Sequence, residues 1–195
     1  VRSRRQRQMC IRDSPCPEWI VVGAGTGGTS ATIGRYLRYR RLQTRLAVVD
    51  PEHSAFFPGW VTGASDYATG MPSRIEGIGR PRLEPSFVPS VIDLMMSVPD
   101  AASIAAMRDL RDRTGLSAGG STGTNLWGVW HLIARMLREG RTGSVVTLIC
   151  DGGERYQHSY YDDAWVSERG MDPAPYRTAI DRLITEGIWE PPKQP

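Results

Sequence analysis

Three clusters of residues have the types and spacing to do chemistry. The first, Gly23-Ala24-Gly25-Thr26-Gly27-Gly28-Thr29, lies between a short apolar run and an amphipathic stretch. A glycine turn that leads from a strand into a helix gathers backbone amides and the positive end of the helix dipole at one point. Such a turn holds a phosphate without any cationic side chain. The segment also reads G-x-G-x-x-G, and Asp50 lies 22 residues beyond Gly28, where a dinucleotide fold places the acid that binds a ribose. NAD or FAD binding is therefore a rival to a simpler phosphate site. A tight turn that needs glycine only for its geometry is the third reading.

The second cluster, Gly119-Gly120-Ser121-Thr122-Gly123, matches G-x-S-x-G, and Asp151 and His158 follow in the chain order of an α/β-hydrolase triad. A nucleophile elbow needs a strong strand before it, and Thr114-Gly115-Leu116-Ser117-Ala118 is a weak one. The better reading of Ser121 is a neutral hydroxyl presented to a ligand at a helix start. The third cluster, residues 158–163 (HSYYDD), offers ligand-type side chains in neither the number nor the spacing of a metal site, and reads as a solvated loop. His53 and His131 stand apart in the sequence, so no metal ligand set is expected.

Positioning these clusters requires alternating strands and helices. The continuous apolar runs Trp19-Ile20-Val21-Val22 and Leu46-Ala47-Val48-Val49 predict buried parallel strands, joined through a helix over residues 29–41. Residues 54–90, rich in Gly, Pro and aromatics, predict a long irregular segment. Beyond it come a strand at Leu94-Met95-Met96-Ser97-Val98 and a helix N-capped by Asp100 with Ile104, Met107 and Leu110 on one face. A third helix over residues 125–138 carries a core stripe of Leu126, Val129, Trp130, Ile133 and Leu137. The strongest strand signal is Val145-Val146-Thr147-Leu148-Ile149, and a last helix covers residues 175–185. The class is α/β, with a mainly parallel sheet and helices on both faces.

Composition excludes further classes. Of the 24 basic residues, 23 are arginine, and the single lysine is Lys193. Residues 1–14 carry five arginines and one aspartate, a net +4, so the remaining 181 residues, with 19 bases and 20 acids, sum to −1. The basic leader resembles adapter-derived translation more than a secretory signal, and is set aside as non-native or disordered. The net charge of +3 thus gives no reason to expect a nucleic-acid partner, and no apolar run is long enough for a membrane helix. Cys10, Cys16 and Cys150 form neither a metal pattern nor a disulfide set. Cys150, closing an apolar run, is expected to be buried, and the chain reads as reduced and cytoplasmic.

The ordered motifs VGAGTGGT, VVDPE, RIEGIG, GGSTGTN and DGGERY, spread over residues 18–165, resemble the C-terminal half of the cysteine synthase and cystathionine β-synthase family. These are pyridoxal 5'-phosphate enzymes of the tryptophan synthase β-subunit fold (fold type II). The resemblance implies that Gly25, Thr26, Gly27, Gly28 and Thr29 bind the cofactor phosphate. It further implies that Gly77 lines the active site against the cofactor and that the Ser121 hydroxyl bonds the pyridine nitrogen. A serine there stabilises a pyridinium less than a carboxylate does, which favours expulsion of a β-substituent to an aminoacrylate.

Glu76 replaces the glutamine usual in cysteine synthases, Gly119-Gly120 replaces Gly-Ile, and residues 80–85 (RPRLEP) are an insertion. The stretch IEGIGRPRLEPSFVP with GGSTGTN looks closest to bacterial L-cysteine desulfhydrases, which release sulfide, pyruvate and ammonia from L-cysteine. Synthase-type replacement on an O-activated serine is the neighbouring reading. A nicotinamide or flavin domain and a non-catalytic fragment are the distant ones. The family's Schiff-base lysine and carboxylate-gripping loop belong to its N-terminal half, so no catalytic residue is assigned within this chain. Residues 15–195 are expected to be the C-terminal portion of a homodimeric enzyme, unable alone to form an internal aldimine or turn over cysteine.

Overall fold

The computed structural model describes residues 16–192. Four parallel strands form one sheet: β1 (Trp19–Gly23), β2 (Arg45–Pro51), β3 (Leu94–Val98) and β4 (Val145–Thr147), in the order β3-β2-β1-β4. Helix α1 (Gly28–Tyr39) connects β1 to β2, and α2 (Phe56–Thr62) follows β2. Helices α3 (Asp100–Thr114) and α4 (Gly120–Arg138) separate β3 from β4, and α5 (Asp163–Glu168) and α6 (Ala174–Glu186) complete the chain. In register, Val21 faces Ala47 on one side and Thr147 on the other, and Val48 faces Met95.

Side chains alternate across the sheet, so the two central strands feed two cores. Val21, Ala47 and Val49 pack with Ala105 of α3, Trp127 and Leu132 of α4 and Ile180 of α6. Val22, Leu46 and Val48 pack on the opposite face with Leu37, Phe56, Phe87 and Val91. A third cluster joins Ile104 and Met107 of α3 to Tyr156, Tyr160, Val166 and Met171. Helices thus cover both faces, the arrangement that a parallel sheet requires.

Several elements differ from the sequence expectation. The long segment after β2 contains α2, and α5 begins at Asp163, the last residue of the stretch read as a solvated loop. Asp100 stands inside the first turn of α3 with Pro99 as the capping residue. Helix α4 begins at Gly120, five residues before the expected start, and its buried side is Trp127, Val129, Leu132 and Met136, while Leu137 is exposed. The reason is close packing. A Cβ on Gly123 would lie 1.9 Å from the Ser103 carbonyl oxygen, and one on Gly128 would lie 2.4 Å from Val49 Cγ1. Glycine, a poor helix former, is what lets α4 sit this close to α3 and the sheet. Thr124 completes the contact, its Oγ1 2.7 Å from Ser103 Oγ.

The strongest strand signal produced the shortest strand. β4 pairs only with β1, and Val146, Leu148 and Ile149 are 46%, 44% and 56% exposed. A run with the composition of a doubly covered strand is here at an edge of the sheet.

Gly123→Ala is expected to destabilise the chain by about 2 kcal/mol, the cost of forcing a methyl group into a packed interface, read as a lower urea midpoint with unchanged slope. A midpoint equal to the parent's would show that α3 and α4 can separate at no cost.

Candidate functional site

At its C-terminal end β1 runs into residues 23–27, and α1 begins at Gly28. Gly27 caps the helix with φ 88°, in the left-handed region, and no side chain caps or charges the first turn. The helix-start amides are therefore left for a ligand. Backbone on both sides fixes the loop. A Cβ on Gly25 would lie 2.7 Å from the Gly77 carbonyl oxygen, and one on Gly27 would lie 2.5 Å from Phe87 Cα. The Gly79 amide donates to the Ala24 carbonyl at 2.8 Å, and the Ser86 hydroxyl donates to the Thr26 carbonyl at 2.6 Å.

A cavity of about 330 Å³ opens over this loop, lined by Gly25 to Thr29, Gly77, Arg80, Asn125 and Cys150. The loop and Gly77 of the sequence reading thus share one cavity. Ser121 does not line it. It lies buried in the first turn of α4, its hydroxyl without a hydrogen-bond partner among the described residues. It is one turn from Asn125, on the same helix face. Asn125 Nδ2 donates to the Leu148 carbonyl at 3.0 Å, and its buried Oδ1 has no partner among the described residues. Cys150, expected to be buried, is exposed and lines the cavity, because β4 ends at Thr147 and the chain then turns outward.

The segment that carries Gly77 is held from behind. Arg74 Nε donates to Asp100 at 2.6 Å and Nη2 to Glu52 at 2.8 Å. The Tyr160 hydroxyl donates to the Arg74 carbonyl at 2.8 Å and accepts from the Glu76 amide at 3.0 Å. Burial raises the pKa of Asp100, an effect that the Arg74 guanidinium opposes. Sequence reasoning missed Arg80, Asn125, Tyr160 and this ion cluster. Arg80 and Asn125 did carry a signal, one opening the insertion and the other four residues after Ser121.

The rival motifs do not assemble. Asp50 is fully buried, and its Oδ2 accepts from the Phe57 amide at 2.8 Å, so its carboxyl serves the start of α2 and is closed to a ribose. Asp151 accepts from the Tyr156 hydroxyl at 2.6 Å, His158 is exposed with no hydrogen bond to Ser121 or Asp151, and no strand leads into Ser121. The hydrolase triad is therefore not formed. In the HSYYDD stretch, Asp162 caps α5 by accepting from the Trp165 amide, and Asp163 pairs with Arg108. His53, isolated in the sequence, lies with Glu52 and Asp100 in one group of possible ligand atoms. There the Arg74 guanidinium already bonds both carboxylates.

A parallel α/β sheet with an uncapped helix start after a glycine turn at the C-terminal end of its first strand is an arrangement able to hold a phosphate. Residues 9–151 match the family of pyridoxal-phosphate dependent enzymes, and the chain belongs to it. It is 62% identical over 182 residues to the L-cysteine desulfhydrase Cds1 of Mycobacterium tuberculosis, an alignment covering 93% of this chain and 50% of that protein. It is 34% identical over 150 residues to an N-(2-amino-2-carboxyethyl)-L-glutamate synthase of Ralstonia nicotianae, covering 77% of this chain and 41% of that one. Among solved structures, O-ureido-L-serine synthase superposes with a TM-score of 0.64 at 22% identity, over 82% of this chain and 50% of that one. That likeness is one of fold. The chain spans about half the length of the curated relatives it matches.

Asp50 offers a test of the buried architecture behind the site. Burial pushes its pKa up to about 7, against hydrogen bonds from Ser54 and the Phe57 and Phe56 amides. Between the unfolded value of about 4 and that folded value, the native state holds a proton the unfolded chain has lost. Its contribution is therefore present at acid pH and is lost as pH rises towards 7. Asp50→Asn is expected to remove up to about 4 kcal/mol of this pH dependence, measured by chemical denaturation at several pH values. Parallel profiles for parent and variant would refute it.

Proposed function

We propose that this chain forms the cofactor-phosphate and pyridine side of a pyridoxal-phosphate enzyme that eliminates sulfide from L-cysteine, leaving pyruvate and ammonia. The observation that carries the reading is the 62% identity to an L-cysteine desulfhydrase across 93% of the chain.

The cavity fits the group on its own terms. The uncapped start of α1 offers amides to a phosphate, and the orphaned Asn125 Oδ1 marks an acceptor in want of a donor. The Ser121 hydroxyl, unpartnered one turn away, is the neutral group assigned to the pyridine nitrogen. Bound pyridoxal phosphate supplies the electron sink that lets a β-substituent depart. In this reading the residues 25–29 hold the phosphate, and Gly77 presents backbone to the ring face with no Cβ to intrude. Ser121 fixes the ring nitrogen without lending it a full charge. Arg74, Asp100, Glu52 and Tyr160 act indirectly, by holding the Gly77 segment against the Gly25 loop.

The Schiff-base lysine would come from sequence outside this chain, since Lys193 is its single lysine and lies outside the described residues. The exposed apolar residues of and beyond β4 support a partner half packing there. We place the complete enzyme in the cytoplasm as a homodimer. No helix among the described residues is long and apolar enough to cross a membrane. A β-replacement reading has support from weaker likenesses to a cystathionine β-synthase of Apis mellifera (31%) and a cysteine synthase 2 of Schizosaccharomyces pombe (28%). Elimination and replacement differ in whether water or a thiol meets the product of β-loss.

The test is sulfide and pyruvate release from L-cysteine by the chain alone and by the chain co-expressed with the N-terminal half of its desulfhydrase relative. The complemented protein is expected to be active, and the isolated chain to stay at the rate of free cofactor. Ser121→Ala should lower kcat about tenfold, the worth of one hydrogen bond of about 1.4 kcal/mol. Robust release by the isolated chain would refute the split site. A complemented protein that makes cysteine from an O-activated serine and sulfide, without releasing sulfide, would establish replacement instead.

A further inference from the structure

The glycine cradle offers amides and a helix dipole but no formal charge, whereas a phosphate monoester carries about two negative charges at neutral pH. Among the described residues that line the cavity, Arg80 alone is charged. Its backbone is fixed on both sides: the amide donates to Ser54 Oγ at 3.1 Å, and the carbonyl accepts from the Ala55 amide at 2.8 Å. Its Nη1 donates to the Gly79 carbonyl at 2.9 Å, folding the guanidinium back along the segment that touches the phosphate loop. Gly79 is itself bonded to Ala24, and the Gly77 carbonyl abuts Gly25.

The arginines on either side have carboxylate partners. Arg74 pairs with Asp100 and Glu52, and Arg82 pairs with Glu84. No carboxylate among the described residues pairs with Arg80, and its Nε and Nη2 make no hydrogen bond there. The buried Oδ1 of Asn125, which lines the same cavity, also lacks a partner among the described residues. The cavity thus has an uncompensated cation beside an amide cradle and a second unsatisfied polar group in its lining.

We infer that Arg80 is a phosphate-binding residue, whose guanidinium neutralises the phosphate dianion that the cradle of residues 25–29 holds. The inference rests on the cofactor reading above and adds a side chain to a site otherwise made of backbone. A guanidinium presents parallel N–H donors that match two phosphate oxygens, and charge-assisted hydrogen bonds of this kind are about twice as strong as neutral ones. The insertion of residues 80–85 is then more than a longer loop. Its first residue sets the affinity for the phosphorylated form of the cofactor over the unphosphorylated one.

The experiment titrates the 195-residue chain with inorganic phosphate, pyridoxal 5'-phosphate and pyridoxal, following heat or tryptophan fluorescence. Arg80→Met should weaken phosphate and pyridoxal phosphate about tenfold or more while leaving pyridoxal within about twofold. Arg80→Lys should retain part of the affinity, because it keeps the charge and loses the paired donors. Arg82→Met, at an exposed arginine two residues on, should change none of the three. Equal phosphate affinity in parent and Arg80→Met would overturn the role of Arg80 and leave the cradle standing. A parent chain that binds neither phosphate nor pyridoxal phosphate would overturn both. The backbone bonds of Arg80 do not depend on its side chain; should the Met variant nonetheless fail to fold, Arg80→Gln decides by the same comparison.

Discussion

The site depends on backbone meeting backbone without a side chain between. Gly25 approaches the Gly77 carbonyl and Gly27 approaches Phe87 so closely that a single added carbon would collide at 2.7 and 2.5 Å. Those two contacts fix the loop after β1 and leave the helix-start amides of α1 facing the cavity. They also bring Gly77, Arg80 and Phe87, from a long segment with little regular structure, to the end of the first strand. Glycine's lack of a Cβ at these positions is a requirement of assembly as well as of conformation.

A second layer keeps the approach in place. The Gly77 segment buries Ile75 and Ile78 on either side of the glycine and is held in addition by charge and hydrogen bonding. Arg74 is tied to the buried Asp100 at the start of α3, and its carbonyl accepts from Tyr160 in the stretch after β4. Tyr160 belongs to the cluster that also buries Ile104 and Met107 of α3. The cavity wall is therefore coupled to the packing of α3, and α3 to α4 through the contact at Gly123. Ser121 and Asn125 on α4 inherit their positions from that contact. The placement of a hydroxyl and an amide near the cavity is set by how closely two helices pack.

Much of this was legible in the residues. The runs at Val21 and Val48 gave buried parallel strands because alternate side chains must enter two cores, and the glycine turn after β1 does lead from a strand into an uncapped helix start beside a cavity. The order of five motifs pointed to the family that the comparisons then showed. What misled was local propensity where tertiary contact overrides it. Gly120 and Gly123 read as loop and are helix, because α4 needs small residues where it meets Tyr160 and Ser103. Val145 to Ile149 read as a covered strand, and the run stands at a sheet edge. Asp50 had the spacing of a ribose acid but is buried against the start of α2, a fact of packing that spacing does not record.

The sequence by itself determined the fold class, the cradle and the absence of any lysine before Lys193, since these follow from residue type, order and short-range geometry. Only the tertiary structure decided which side chains share the cavity. Arg80, Asn125 and Cys150 come from three separate parts of the chain, and their neighbours in sequence do not show that they meet at one cavity. Their meeting is set by the crossover of parallel strands and the close packing of α4. Among the described residues Arg80 has no carboxylate partner, while its neighbours Arg74 and Arg82 meet Asp100, Glu52 and Glu84. Net charge cannot show where an unbalanced cation lies; the folded chain places Arg80 in the cavity that the glycine loop lines.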